Sequence, residues 1–142
     1  MAVKDKTALS LLELVIMLVV FALAAALCLR IFIRTEEVSV KNVNMDQALL
    51  QAQNAAETVK HCRGDLIAAA EHLGGSADGK VWRITFDDRW HETEEDTAFI
   101  LTVSLRSGEM PLLGEASVMV EQEDGSVLAQ LDVCWQEVGS RG

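Results

Sequence analysis

Neither glycine nor proline occurs before Gly64, so the residues that most readily break or kink a helix are missing from that whole stretch. Charge is missing too, from Leu14 to Leu29. Cysteine is scarce. Cys28, Cys62 and Cys134 are too few for a disulfide scaffold, and with Cys28 inside the uncharged run only Cys62 and Cys134 remain as a candidate pair, which would require the domain to be exported. Basic residues run short from Thr35 onward, with 8 Lys and Arg against 20 Asp and Glu. That acidic balance repels nucleic acid and anionic lipid at long range, so direct nucleic acid binding is not expected. Catalytic signatures are absent as well. There is no Gly-x-Ser-x-Gly, no phosphate-binding glycine loop and no Cys with a paired His at a family spacing, which argues against an enzyme and calls for no cofactor.

What the chain does have is one apolar run. A helix crosses a bilayer with about 20 residues, and Leu11 to Ile33 supplies that length. Glu13 is the anomaly, because a carboxylate within a membrane helix is costly and needs a partner or a purpose. Four readings compete. A cleaved secretory signal needs a shorter apolar region and a small-residue cleavage site, whereas this run continues into Arg30 and Arg34. A plain anchor would hold Glu13 at headgroup level. A buried core helix would need an apolar cover that the rest of the chain does not offer.

The fourth reading rests on Ala8-Leu9-Ser10-Leu11-Leu12-Glu13-Leu14-Val15. This segment resembles the processing motif of type IV pilins and pseudopilins, in which a small residue precedes the cut and a glutamate stands fifth after it. The resemblance implies a leader peptide over 1–8, cleavage between Ala8 and Leu9 by a prepilin peptidase, methylation of the new amino terminus and a transmembrane helix half over 9–34. It further implies an exported domain over 35–142 and assembly through Glu13 with other pilin or pseudopilin subunits in a type IV pilus, type II secretion or competence filament. Ala8 and Leu9 stand where the family usually has Gly and Phe, and no proline kinks the anchor, which points to a minor pilin or pseudopilin. The implied location is the cytoplasmic membrane, amid lipid, with the C-terminal domain extracytoplasmic. Charge alone does not orient the anchor, since Lys4 and Lys6 on one side balance Arg30 and Arg34 on the other. The rival from another class is an uncleaved single-pass protein whose acidic domain binds a ligand or partner outside the cell.

Beyond Arg34 the pattern turns amphipathic. Val38, Met45, Leu49, Ala52, Ala56 and Val59 keep one face of a helix over 35–62. Gly64 is expected to end it, and Asp65 to cap a second helix over 65–73 closed by Gly74-Gly75. Over 79–136 the period becomes two. The predicted inner faces are Trp82, Ile84 and Phe86, then Phe99, Leu101, Val103 and Leu105, then Ala116, Val118 and Val120, and last Val127, Ala129, Leu131, Val133 and Trp135. Asp124-Gly125 marks a tight hairpin. The fold class is therefore α+β, a long N-terminal helix packed on a four-stranded antiparallel sheet. That is also the pilin architecture by resemblance.

Parity places Cys134 on the face opposite Val133 and Trp135, so a bridge to Cys62 would require a bulge or a sheet edge. The acidic segment Asp87 to Asp96 offers oxygen ligands of the kind Ca²⁺ takes, but without the glycine and spacing of a calcium loop it reads as a solvated hairpin connection. Trp90, inside that segment, is expected to be exposed as part of a contact surface. His91 with Glu92 and Glu94 has no second His or Cys at a motif spacing, so no metal site is assigned. His61, His72 and His91 read as surface residues.

Overall fold

The computed structural model describes residues 2–137, with side chains from Lys4 onward. Helix α1 spans Ala2–His61 and is followed by α2, Leu66–Leu73. Five strands then follow: β1 (Ser76–Ala77), β2 (Val81–Phe86), β3 (Phe99–Arg106), β4 (Leu113–Gln122) and β5 (Val127–Gln136). The chain forms two compact units, residues 1–42 and residues 43–142.

The first unit is helix. Without glycine or proline to interrupt them, straight-chain and alanine residues propagate it through the first charged residues, the apolar run and the charged stretch beyond. Thr35 returns its hydroxyl to the Ile31 carbonyl at 2.9 Å, satisfying a side chain that would otherwise compete with the helix.

The second unit is an antiparallel meander in the order β1-β2-β3-β4-β5, with the C-terminal part of α1 on one face. It has five strands, not four. The additional strand, β1, is two residues long and pairs Ser76 with Arg83 and Ala77 with Trp82. Two residues directly after Gly74-Gly75 are too few to show a period.

The core matches the inner faces read from the sequence at Trp82, Ile84, Phe86, Phe99, Leu101, Val103, Ala116, Val118, Val120 and Val133, all buried. Val127 departs from it and is exposed. A bulge between Val120 and Glu121 shifts the register there, so that Glu121 pairs with Val127 whereas Val120 pairs with Ala129. Because parity has a period of two, one extra residue turns the side chains before it to the other face.

On α1 the covering stripe is narrower and smaller than the expected one. Ala48, Ala52, Ala55, Ala56 and Val59 are buried, whereas Val38, Met45 and Leu49 are exposed. Small side chains leave room over a sheet face that already carries the fully buried Trp82, and the bulkier residues fall to the flanks. Full burial of a Val-, Leu- or Ile-sized side chain contributes about 1.5–3 kcal/mol. Val59, Leu66, Ile84, Leu101, Val103, Val118 and Val120 therefore anchor this unit.

The end of α1 is a left-handed cap. Arg63 donates its amide to the Lys60 carbonyl at 3.1 Å, and Gly64 donates to Val59 at 3.0 Å. Arg63 itself takes φ 53°, the position usually given to glycine. Asp65 then caps α2 by accepting the Ala68 amide at 3.1 Å, and Gly74 closes α2 by donating to Ala70 at 2.8 Å.

Candidate functional site

The residues singled out by the processing motif lie in the first unit. Ala8, Leu9 and Glu13 are all exposed on α1. Leu9 and Glu13 are four residues apart and therefore share one face, about 6 Å apart along the axis. Around and beyond them, 17 large apolar side chains between Leu9 and Ile33 are more than half exposed. Leaving that surface in water would forgo on the order of tens of kcal/mol, more than a domain's whole stability of about 5–15 kcal/mol. The helix is long and apolar enough to cross a membrane, and none of its apolar window is buried within the molecule. From Leu14 to Leu29 the uncharged stretch rises about 24 Å, and Arg30 beyond it carries its charge on a stem long enough to reach an interface.

The acidic segment after β2 is more ordered than a solvated connection. Asp87 accepts the amides of Arg89 at 2.9 Å and His91 at 2.8 Å. These bonds, that from His91 first, hold its carboxyl below the usual carboxylate range. Trp90 is turned inward, contrary to the exposure expected of it. With φ 65° it stacks on Phe99 at 4.1 Å between ring centroids and lies 5.7 Å from Phe86. Stacking buries a large apolar ring that an exposed position would waste. Glu92 reaches back to accept the Gly75 amide at 2.6 Å. Two of the segment's carboxylates thus serve the backbone. Among the described residues, no three His, Cys, Asp or Glu side chains converge as a metal-ligand set.

His61, His72 and His91 are exposed. His61 and His72 stand edge to face at 6.3 Å. Cys62 and Cys134 are both free; Cys62 is half-buried beside the core, and Cys134 is exposed on the outward face of β5. Burial, and after it the charge of Asp65, pushes the Cys62 thiol up from its ordinary value.

Two features lay outside the sequence reading. One is the fit of Trp135 over glycine. A Cβ on Gly114, its partner across the β4–β5 ladder, would fall 2.2 Å from the indole, and one on Gly64 would fall 2.5 Å from it. The other is the free edge of β5, since period-two patterning reports faces and is silent on which strand ends the sheet.

Fold and surface define a class: one helix able to span a bilayer, and an α+β domain in which a helix covers an antiparallel meander. No family model, curated protein or solved structure matches the chain.

Proposed function

We propose that the protein is a minor pilin or pseudopilin, a structural subunit of a type IV pilus, type II secretion or competence filament. The reading rests on one observation, the segment Ala8-Leu9-Ser10-Leu11-Leu12-Glu13 at the head of an apolar helix that no described residue covers. In this mechanism a prepilin peptidase cuts after Ala8, and Leu9 becomes an ammonium terminus at membrane depth. The Glu13 carboxylate of a neighbouring subunit receives it. Opposite charges attract far more strongly in a low-dielectric medium than in water, and pairing removes two isolated charges together. The apolar helices then pack as the filament core, and the acidic domain faces outward.

Two substitutions test separate parts of this reading. In a cell that has the peptidase, Ala8→Leu is expected to block conversion, leaving a longer product that starts at Met1 or Ala2; a mature product starting at Leu9 would refute the processing step. Glu13→Ala is expected to insert normally in the membrane while its incorporation into filaments drops at least tenfold, because one charge of the pair is left unmatched. Incorporation at the parental level would remove Glu13 from assembly. Amino-terminal sequencing of the parent protein also separates this function from an uncleaved, membrane-anchored binding domain, which would retain Met1 or Ala2.

A further inference from the structure

The two edges of the sheet are finished differently. Along β2 the outer edge is closed: β1 pairs with its first half, Glu92 bridges to Phe86, and Thr93 donates its amide to the Thr85 carbonyl at 2.9 Å. The Thr85 hydroxyl adds a bond to the Thr93 carbonyl. At the other edge β5 is ten residues long and, among the described residues, pairs only with β4.

The phase of its ladder follows from one bond. Glu137 donates its amide to Leu112 at 2.9 Å, and the same register pairs Trp135 with Gly114, Val133 with Ala116 and Leu131 with Val118. In an antiparallel pair alternate residues exchange both bonds, so these odd-numbered residues are bonded to β4. The amides and carbonyls of Gln130, Asp132, Cys134 and Gln136 consequently point away from the sheet, and no described residue meets them. The usual protections are sparse along this stretch. It holds no proline and no lysine, its one charge, Asp132, stands 3.7 Å from the Arg106 guanidinium on the same face, and the bulge lies before it. Beside the edge runs a groove of about 240 Å³ between α1 and β5, with Ala56, Leu131 and Val133 in its lining and Glu57 and Lys60 from the helix.

We propose that the β5 edge binds an extended segment of another protein by strand addition, and that this segment carries basic side chains alternating with apolar ones. Backbone groups in this row accept only an extended chain. Apolar side chains of the added strand would enter the groove beside Val133, and the alternate ones would lie beside Gln130, Asp132, Cys134 and Gln136. The charge of the partner follows from this unit's own. Residues 43–142 hold 18 acidic and 7 basic side chains, so a second copy would bring the same excess to the contact, whereas a basic segment is attracted. Four bonding residues correspond to a partner stretch of about seven residues, or roughly 23 Å. The inference does not depend on how the apolar helix is used.

The test uses the full chain in nonionic detergent micelles, with a synthetic peptide of about seven residues alternating Lys and Val and a Glu–Val peptide of the same length. Amide hydrogen exchange read by NMR is expected to slow about tenfold at Gln130, Asp132, Cys134 and Gln136 when the Lys–Val peptide is saturating. The Glu–Val peptide is expected to give no protection. Gln130→Pro removes one outward donor without touching the bonds to β4 and should weaken the peptide about tenfold. If its circular dichroism departs from the parent, Gln136→Pro at the strand end replaces it. Unchanged exchange at the four amides, or affinity indifferent to the proline, overturns strand addition. Equal binding of the acidic peptide overturns the charge selection. Protection that rises with protein concentration in the absence of peptide would assign the edge to a second copy and overturn the heterotypic partner.

Discussion

Asp87, half-buried, organises the turn after β2 with two backbone bonds, and because both are accepted by its carboxylate the contribution depends on acid. Its folded value lies below the ordinary 3.8, chiefly through the His91 amide. Such a group stabilises the fold at every pH above its unfolded value and loses that contribution as pH falls through the folded one. The stacking of Trp90 on Phe99 should accordingly be constant from neutral pH to about 4 and loosen below 3.8. The Trp90 indole resonance, followed by NMR through an acid titration, reads this directly. Asp87→Asn should weaken the turn at neutral pH and make the same resonance insensitive to acid over that range. A parental titration curve in Asp87→Asn would assign the transition to another carboxylate. Asp124 is the parallel case, held low first by the Ser126 hydroxyl and then by the Ser126 amide. It lies in the β4–β5 hairpin, whose Gln122 pairs with Phe99, so Asp87→Asn is the control that separates the two carboxylates.

At the scale of elements, two substitutions of opposite sign probe the cap and the ladder. Arg63 stands in the left-handed region where a side chain costs about 1–2 kcal/mol; Arg63→Gly should relieve that strain and, after the added freedom of the unfolded chain, stabilise by about 1 kcal/mol. Gly114→Ala should destabilise by about 2 kcal/mol or more, since its methyl meets the Trp135 ring and a packed sheet yields little. Chemical denaturation of the full chain in detergent, followed by far-UV circular dichroism, measures both. The elements themselves were largely legible. Alternation marked Trp82-Ile84-Phe86 and Ala116-Val118-Val120 as inner faces because one side of the sheet is buried and the other is not. Asp65 and Gly74 announced α2 because unpaired helix ends require such residues. What was not legible depends on contacts distant in sequence. Trp90 turns inward to meet Phe99, β1 exists only because Arg83 and Trp82 pair with it, and Met45 and Leu49 yield the contact to Ala48 and Ala55. The processing motif was readable as a string of residues, whereas the β5 edge was not, since nothing local distinguishes an edge strand from a central one.

For the whole molecule the open physical question is which side of a membrane receives residues 43–142, because flanking charges on the two sides of the apolar run nearly balance. The proposed function requires the extracytoplasmic side. The three cysteines supply the measurement without engineering a new label site. Cys28 lies in the apolar run, Cys62 is half-buried with a thiol that burial keeps protonated, and Cys134 is exposed on β5. Only thiolate reacts readily, so Cys134 should dominate labelling at neutral pH, and Cys134→Ser should abolish most of it. A membrane-impermeant maleimide added to spheroplasts is expected to label the protein about as fully as it does after lysis. Labelling that appears only on lysis would place this domain in the cytoplasm, where outward display in a filament is not physically available.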